Sequence, residues 1–388
     1  LFGTLRTLRR FPRPGSSPAR YTAYTRDPHG PMVTVGITSY NDAEKISRCL
    51  ESIAAQTLGA EHIEVLVVDD GSTDKTAGIA RRHEHSASWA CFSVQRHRAS
   101  GSPSKGRNII MDQALGEFVF FVDADDYLGP EALRAMTQAA KKKRADIVVG
   151  RYVGVNRSAP NVLEPRDAKP GKEYHSGWLN SLHVQKLLRT DFIRGLDYRF
   201  NESLIYASDH PFMISAFLHA HSVAMVEDVD CYFLTMDAPE TEPGSGSGSG
   251  SAGAAAKGRV NVSRAEIPAK RQLQFLHDCF GILALGRGQG GRISTRAGKM
   301  RADYWNRLLK LHLPMLVLRK NDDDAAIVEL AQQARGVAEL YGAETSRARL
   351  AEEAQRMLGA LREAEGPGDG AAVAAAAQQV RADVRGSS

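Results

Sequence analysis

The chain has 388 residues, 43% of them hydrophobic, which allows two domains with sizeable cores and excludes wholesale disorder. Its formal net charge of +5 is matched by five arginines near the start (Arg6, Arg9, Arg10, Arg13 and Arg20), so the remaining body is neutral and offers no basic surface for nucleic acid. The four cysteines, Cys49, Cys91, Cys231 and Cys279, form no C-x-x-C pair, which excludes a zinc knuckle or a thioredoxin-like site and fits a reducing cytoplasm.

Residues 1–31 read as a basic arm, solvated or, as the alternative, lying peripherally on the acidic inner face of a membrane. The first residue is Leu rather than Met, which points to a trimmed beginning. No apolar run reaches the ~18 residues a membrane helix needs. From Met32 the pattern alternates strand and helix. Val33–Thr38 is a buried strand, and Asp42–Gln56 shows helical spacing with Ile46, Leu50, Ile53 and Ala54 on one face. Ile63–Val68 is a second strand, and Asp74 is placed to cap the helix after it. Cys91–Gln95 is a weaker strand, Lys105–Leu115 a helix, Phe118–Val122 a buried strand, and Pro130 starts a helix running to Lys143. Ile147–Tyr152 is a further strand. Beyond it the pattern predicts helices near Val184–Leu188 and over Pro211–Ala220, and a strand at Tyr232–Thr235.

Strands separated by helices of this length predict a mostly parallel, Rossmann-like sheet covered on both faces, over residues 32–237. A Gly/Ser stretch within 238–260 is a linker, and its clean alternation looks engineered. Residues 261–365 are Leu-, Ala-, Arg- and Glu-rich with helical spacing, predicting a helical C-terminal domain that self-associates or presents a polymeric acceptor. Leu308, Leu309, Leu311 and Leu313 are its expected buried face, and 366–388 reads as a flexible tail.

The informative polar residues follow apolar strands. The first strand ends in Thr38-Ser-Tyr40-Asn41, the second in Asp69-Asp70-Gly-Ser-Thr-Asp74, the fourth in Asp123-Ala-Asp125-Asp126. Ligands of parallel sheets bind at these carboxyl ends. Two acids spaced D-x-D there reach a hard cation such as Mn²⁺ or Mg²⁺ through oxygen ligands. Between the third and fourth strands, Gly101-Ser-Pro-Ser-Lys105-Gly-Arg107-Asn108 is a loop opening into a helix, with Lys105 and Arg107 suited to a phosphate. Taken singly, each Asp is as well explained as a cap or turn residue.

VTVGITSYN, VLVVDDGSTDKT, GRNIIMDQALGEFVFFVDADDYLGPEAL and SDHPF together resemble the family 2 glycosyltransferases of GT-A fold, over residues 32–235. The resemblance implies an inverting, metal-dependent hexosyltransferase that moves a sugar from a nucleotide diphosphate, most simply UDP, to a hydroxyl acceptor. It assigns Thr38, Tyr40, Asp70, Lys105, Arg107 and Asp123 to the nucleotide, with Asp123 on the ribose, and Asp125 to Mn²⁺ or Mg²⁺. The family's general base lies in an E-D-x-x-F-like motif. Here Ser208 replaces the usual Glu and leaves Asp209 as the candidate, with Asp197 and Glu202 as rivals and a helix cap as the structural alternative. No His falls between His221 and His277, so the late His ligand of many GT-A enzymes is missing. The layout is similar to bacterial enzymes that glycosylate wall teichoic acid or other surface polymers. A nucleotidyltransferase or a non-catalytic sugar-nucleotide scaffold are the alternatives; the former lacks its Gly-rich, Lys-bearing signature after the first strand, and the intact acids weigh against the latter. His175, His183 and His210 read as structural or substrate-contacting, and Tyr174, Trp178 and Tyr206 as a sugar-stacking wall or core.

Overall fold

A computed structural model describes residues 30–161, 174–236, 267–320, 323–342, 350–366 and 368–386. The arm up to residue 29 and the Gly/Ser linker lie outside them. Eight strands form one sheet: β1 (Val33–Ser39), β2 (Ile63–Asp69), β3 (Cys91–Arg96), β4 (Phe118–Asp123), β5 (Tyr127–Leu128), β6 (Ile147–Val155), β7 (Leu187–Arg189) and β8 (Val223–Thr235). Their order across the sheet is β3-β2-β1-β4-β7-β6-β8-β5. β1 pairs in parallel with both β2 and β4, β2 with β3, and β6 with β8. β7 runs antiparallel between β4 and β6, and β5 runs antiparallel on the edge of β8. The chain therefore builds outward from β1 through β2 and β3, then returns to the other side of β1 at β4. Such a reversal opens a crevice above the carboxyl ends of β1 and β4.

The strands are apolar because both faces are covered. Every residue of β2 and all of β4 but its last are buried. The covering helices are α1 (Ile46–Ala54), α2 (Thr76–Arg82), α3 (Pro103–Gln113), α4 (Ala132–Lys143), the short α5 (Thr190–Arg194) and α6 (Asp209–His219). Pro130 lies two residues before α4 rather than in it. Its carbonyl accepts from Thr57, while the helix proper starts at Ala132.

The helix expected near Val184–Leu188 is instead the strand β7, with Leu187 opposite Phe120 and Val148. Val184, Leu187 and Leu188 fit helical spacing, but a short apolar run buried on both faces fits a strand equally. Here the open flanks of β4 and β6 supply backbone partners that decide it.

The C-terminal residues form α7 (Ala269–Gln272), α8 (Gln274–Gly288), α9 (Gly291–Arg307), a π-helical turn at Leu308–His312, α10 (Leu313–Leu318), α11 (Asp324–Leu340), α12 (Glu352–Glu363) and α13 (Gly370–Gly386). The expected flexible tail is thus corrected over α13, whose Val373, Ala377 and Val380 are buried against the other helices. Small Ala side chains let it approach them closely. The expected leucine face is also corrected: Leu308, Leu309 and Leu313 are buried, but Leu311 is 43% exposed. A helical turn cannot aim all four inward. No helix among the described residues is long and apolar enough to cross a membrane.

Candidate active site

Strand register brings the three polar strand ends together. Thr38 stands opposite Val68 on one side and Asp123 on the other, and Ser39 opposite Asp69. The two acids of the second strand end then divide. Asp69 is fully buried, accepts from the Ser72 amide at 3.2 Å and from the Ser72 hydroxyl, and pairs with Arg96 at 3.3 Å. It holds the turn. Asp70 faces the other way and accepts from the Ser100 amide and hydroxyl, at 3.0 and 2.9 Å, and from Gly101 N–H at 3.2 Å. Just after them Gly71 adopts φ +80°, and a Cβ there would lie 2.6 Å from the Ala99 nitrogen, so only glycine fits. Asp74 accepts from both the amide (2.9 Å) and the hydroxyl of Thr76 at the start of α2, and these bonds lower its pKa against the opposing effect of burial. Tyr40 remains 39% exposed beside this loop.

Helix α3 is capped by Ser102, whose hydroxyl accepts from Ser104 N–H at 3.3 Å and donates to the Leu204 carbonyl at 2.9 Å; Pro103 fills the first turn. A Cβ on Gly106 would lie 2.8 Å from Thr38 Cγ2. The missing side chain lets α3 rest on the end of β1 and sets Arg107 beside the crevice, while Lys105 is half-buried in the same first turns of the helix. Arg107 is buried and donates to Asp123 Oδ1 at 3.2 Å, with its guanidinium 5.6 Å from the Phe200 ring centroid. Gln185, in the segment before β7, donates to Asp123 Oδ2 at 2.7 Å. Both carboxylate oxygens of Asp123 are therefore held.

The Asp125 carbonyl accepts from Arg48 at 2.7 Å and from the Thr235 hydroxyl at 2.5 Å, tying this turn to α1 and β8. Asp126 is buried and accepts from Thr235 N–H at 2.7 Å. Burial, then the charges of Asp123 and Asp125, push its acid up to about 8. Burial and the same three acids also raise the Cys49 thiol. Among the described residues, no group of three or more His, Cys, Asp or Glu side chains forms a metal cage. A crowded carboxylate edge with oxygen donors nevertheless fits a hard cation whose remaining ligands come from a diphosphate and water.

Asp209 opens α6, and its carboxylate accepts no hydrogen bond from any described residue, so the capping alternative finds no support in the geometry. Its negative charge opposes the effect of burial on His183 and Lys186. Of its rivals, Glu202 accepts from Asn108 at 2.9 Å, and Asp197 lies exposed in a turn. Lys186 is fully buried, donates to the His183 carbonyl at 2.5 Å and to the Tyr152 hydroxyl at 3.2 Å, and burial pulls its pKa down to about 7. Sequence reasoning missed Gln185 and Lys186 as individuals. Trp178 stacks on Phe217 (5.4 Å), Tyr174 donates to Asp303 at 2.8 Å, and Tyr206 meets Phe275 edge-on, so this trio packs where the sheet domain meets the C-terminal helices.

The family model described as Glycosyl transferase family 2 matches residues 34–200. This part of the chain belongs to glycosyltransferase family 2. The chain is 32% identical, over 203 residues, to the poly(ribitol-phosphate) beta-N-acetylglucosaminyltransferase TarS of Staphylococcus aureus strain MW2, covering 52% of this chain and 35% of that protein. It is 30% identical, over the same length, to the poly(ribitol-phosphate) beta-glucosyltransferase of Bacillus spizizenii, covering 52% of this chain and 32% of that one. The chain thus spans about a third of the length of these curated relatives. Among solved structures it is similar to S. aureus TarS 1-349 in complex with UDP-GlcNAc, with a TM-score of 0.70, 22% identity and 92% of both chains covered. That likeness shows the GT-A-like sheet domain followed by helices as a shared fold.

Proposed function

We propose that this family 2 chain transfers a sugar, with inversion, from a UDP-sugar to a hydroxyl of a polyol-phosphate polymer such as poly(ribitol phosphate), in the cytoplasm. The observation that carries the proposal is the convergence of Thr38, Arg107 and Asp123 at the switch point of the sheet, with Asp209 opening a separate helix. The named activities of the two curated relatives support the acceptor class.

In this reading Thr38, Tyr40 and Asp70 hold the base, and Asp123, fixed by Arg107 and Gln185, holds the ribose. Lys105 and Arg107 lie toward the diphosphate. Mn²⁺ or Mg²⁺ held by Asp125 and diphosphate oxygens would supply charge neutralisation at the leaving group. Asp209 takes the proton of the acceptor hydroxyl. The acceptor oxygen bonds to the anomeric carbon on the face opposite the diphosphate, the bond from that carbon to the diphosphate breaks, and UDP departs with the electron pair. A single displacement inverts the anomeric centre.

The test follows UDP release from UDP-GlcNAc and from UDP-glucose, with and without synthetic poly(ribitol phosphate) and MnCl₂. Acceptor-dependent release with a β-linked product supports the reading. No release with either donor, or retention of configuration, overturns it.

A further inference from the structure

Helix α6 is buried from His210 to Leu218 and apolar around its whole circumference, as a helix packed on every side must be. Phe200 stacks on its Phe212 at 4.1 Å and Trp178 on its Phe217 at 5.4 Å from the sheet domain. The C-terminal helices cover another side and grip both ends. At the carboxyl end, Arg296 of α9 donates to the carbonyls of Phe217, Leu218 and Ala220, at 2.9, 3.0 and 2.7 Å. These carbonyls have no partners within the helix, and a guanidinium meets them with charge-assisted bonds that also favour the negative end of the helix dipole. Arg296 is only 4% exposed and lies 5.6 Å from the Trp178 ring centroid, so it is a built cap rather than a surface contact. Gly286 of α8 completes this end: a Cβ there would lie 2.7 Å from Leu218 Cδ2.

At the amino end, His210 follows Asp209 directly. Its Nδ1 lies 3.2 Å from the hydroxyl of Tyr304 on α9, which in turn donates to Cys279 Sγ of α8. Phe275 of α8 and His312 of the π-helical turn meet the same imidazole edge-on, at 5.2 and 5.0 Å. The segment leading into α6 is pinned as well, since Asp278 of α8 accepts from Tyr198 and from Asn201, both at 2.7 Å. Ala207 holds a positive φ of 49°, a conformation an alanine keeps only where its surroundings impose it.

We propose that the C-terminal helices act as a clamp that sets the position of Asp209 through α6, with Tyr304 and Arg296 as positioning residues. The inference rests on the reading of Asp209 as base. It adds a role for the C-terminal helices beyond self-association or display of an acceptor. A helix is nearly rigid, so a base on its first residue is placed only as well as its two ends are held. A shift of about 1 Å in a reacting group costs on the order of 10²-fold in rate.

The experiment uses the full chain and a double-mutant cycle. Tyr304→Phe removes one hydroxyl and keeps the ring that packs against Phe280 and His210. Turnover of UDP-GlcNAc with poly(ribitol phosphate), calorimetric affinity for UDP, melting temperature and hydrogen exchange of the Met213 and Ile214 amides are measured in the wild-type and Asp209→Asn backgrounds. Those two amides close the first turn onto Asp209 and His210. The expected result is a 10- to 100-fold loss of kcat, unchanged UDP affinity, faster exchange of the two amides, and no further kcat loss when Asp209 is already Asn. Arg296→Met, which frees the other end, is expected to show the same non-additivity. An equal fold-loss in both backgrounds, tracking the melting temperature, would show a purely structural role and overturn the clamp. So would wild-type exchange in Tyr304→Phe. Near-wild-type turnover of Asp209→Asn alone would instead overturn the base assignment, and the exchange measurement would still report whether Tyr304 holds α6.

Discussion

Gly106→Ala tests whether the contact of α3 with β1 sets the nucleotide site. The added Cβ would sit 2.8 Å from Thr38 Cγ2 and 3.4 Å from Val68 Cγ1. Carbon atoms pack best at about 3.5–4.0 Å, so the first contact is too close by roughly 0.7 Å or more, while the second is merely tight. Thr38 is β-branched and sits between two parallel partners, so its methyl group has little freedom to turn away. Overpacking of this kind costs about 1–3 kcal/mol. Exchanging Gly for Ala inside a helix returns about 0.8–1 kcal/mol. The net expectation is a modest destabilisation, between about 0 and 2 kcal/mol, with α3 displaced from the strand end. Arg107 already reaches Asp123 at 3.2 Å, and a shift of that size would take the pair out of hydrogen-bond range. Losing one such charge-assisted contact should weaken UDP binding by roughly tenfold or more, since each 1.4 kcal/mol is tenfold. Thr38→Ser deletes the clashing methyl and keeps the hydroxyl, so the double variant Gly106→Ala/Thr38→Ser should recover both melting temperature and affinity. Calorimetry with UDP and thermal melts on the wild type and three variants decide the matter. A Gly106→Ala protein that melts like wild type and binds UDP equally well, or a double variant no better than the single one, would refute the steric argument.

Asp209→Asn should lower kcat by a factor on the order of 10²–10⁴ and leave UDP affinity unchanged, because a base touches the acceptor and not the nucleotide; steady-state kinetics beside UDP calorimetry checks both halves. Asp125→Asn should abolish the stimulation of UDP release by MnCl₂, and undiminished activity of the wild type in EDTA would remove the metal from the reaction. Lys186 should make stability depend on pH in a definite sense. Burial lowers its pKa to about 7 in the folded chain, so the unfolded chain holds the proton more tightly, up to the ordinary lysine value of about 10.4. Below about pH 7 both states are protonated and the whole cost of the buried charge is present. The cost falls as pH rises through the window, by up to about 1.4 kcal/mol per unit. Lys186→Met should therefore gain more stability relative to wild type at pH 6 than at pH 9, as read from denaturant melts; a gap independent of pH would mean the amine is not the cause.

Much of the sheet domain was legible in the residues themselves. β1, β2 and β4 are apolar runs buried on both faces, ended by Thr38, Asp69-Asp70 and Asp123, and a run of that kind reads the same way wherever it occurs. The order of those strand ends along the chain was therefore visible, and the resemblance to family 2 rested on it. Pairing between segments far apart in sequence was not. The division of labour between Asp69 and Asp70 depends on which way each carboxylate leaves the strand end, toward Ser72 and Arg96 or toward Ser100 and Gly101. Gln185 reaches Asp123 across 62 positions of chain, and no local pattern announces a contact of that length. β7 was mistaken for a helix because three apolar residues carry too little periodicity to decide, and the hydrogen-bonding flanks of β4 and β6 settled it. The hold of Arg296 and Tyr304 on α6 was invisible for the same reason. An arginine and a tyrosine on an amphipathic helix look like surface or core until the partner helix is in place, and only tertiary packing determines which carbonyls and which imidazole they meet.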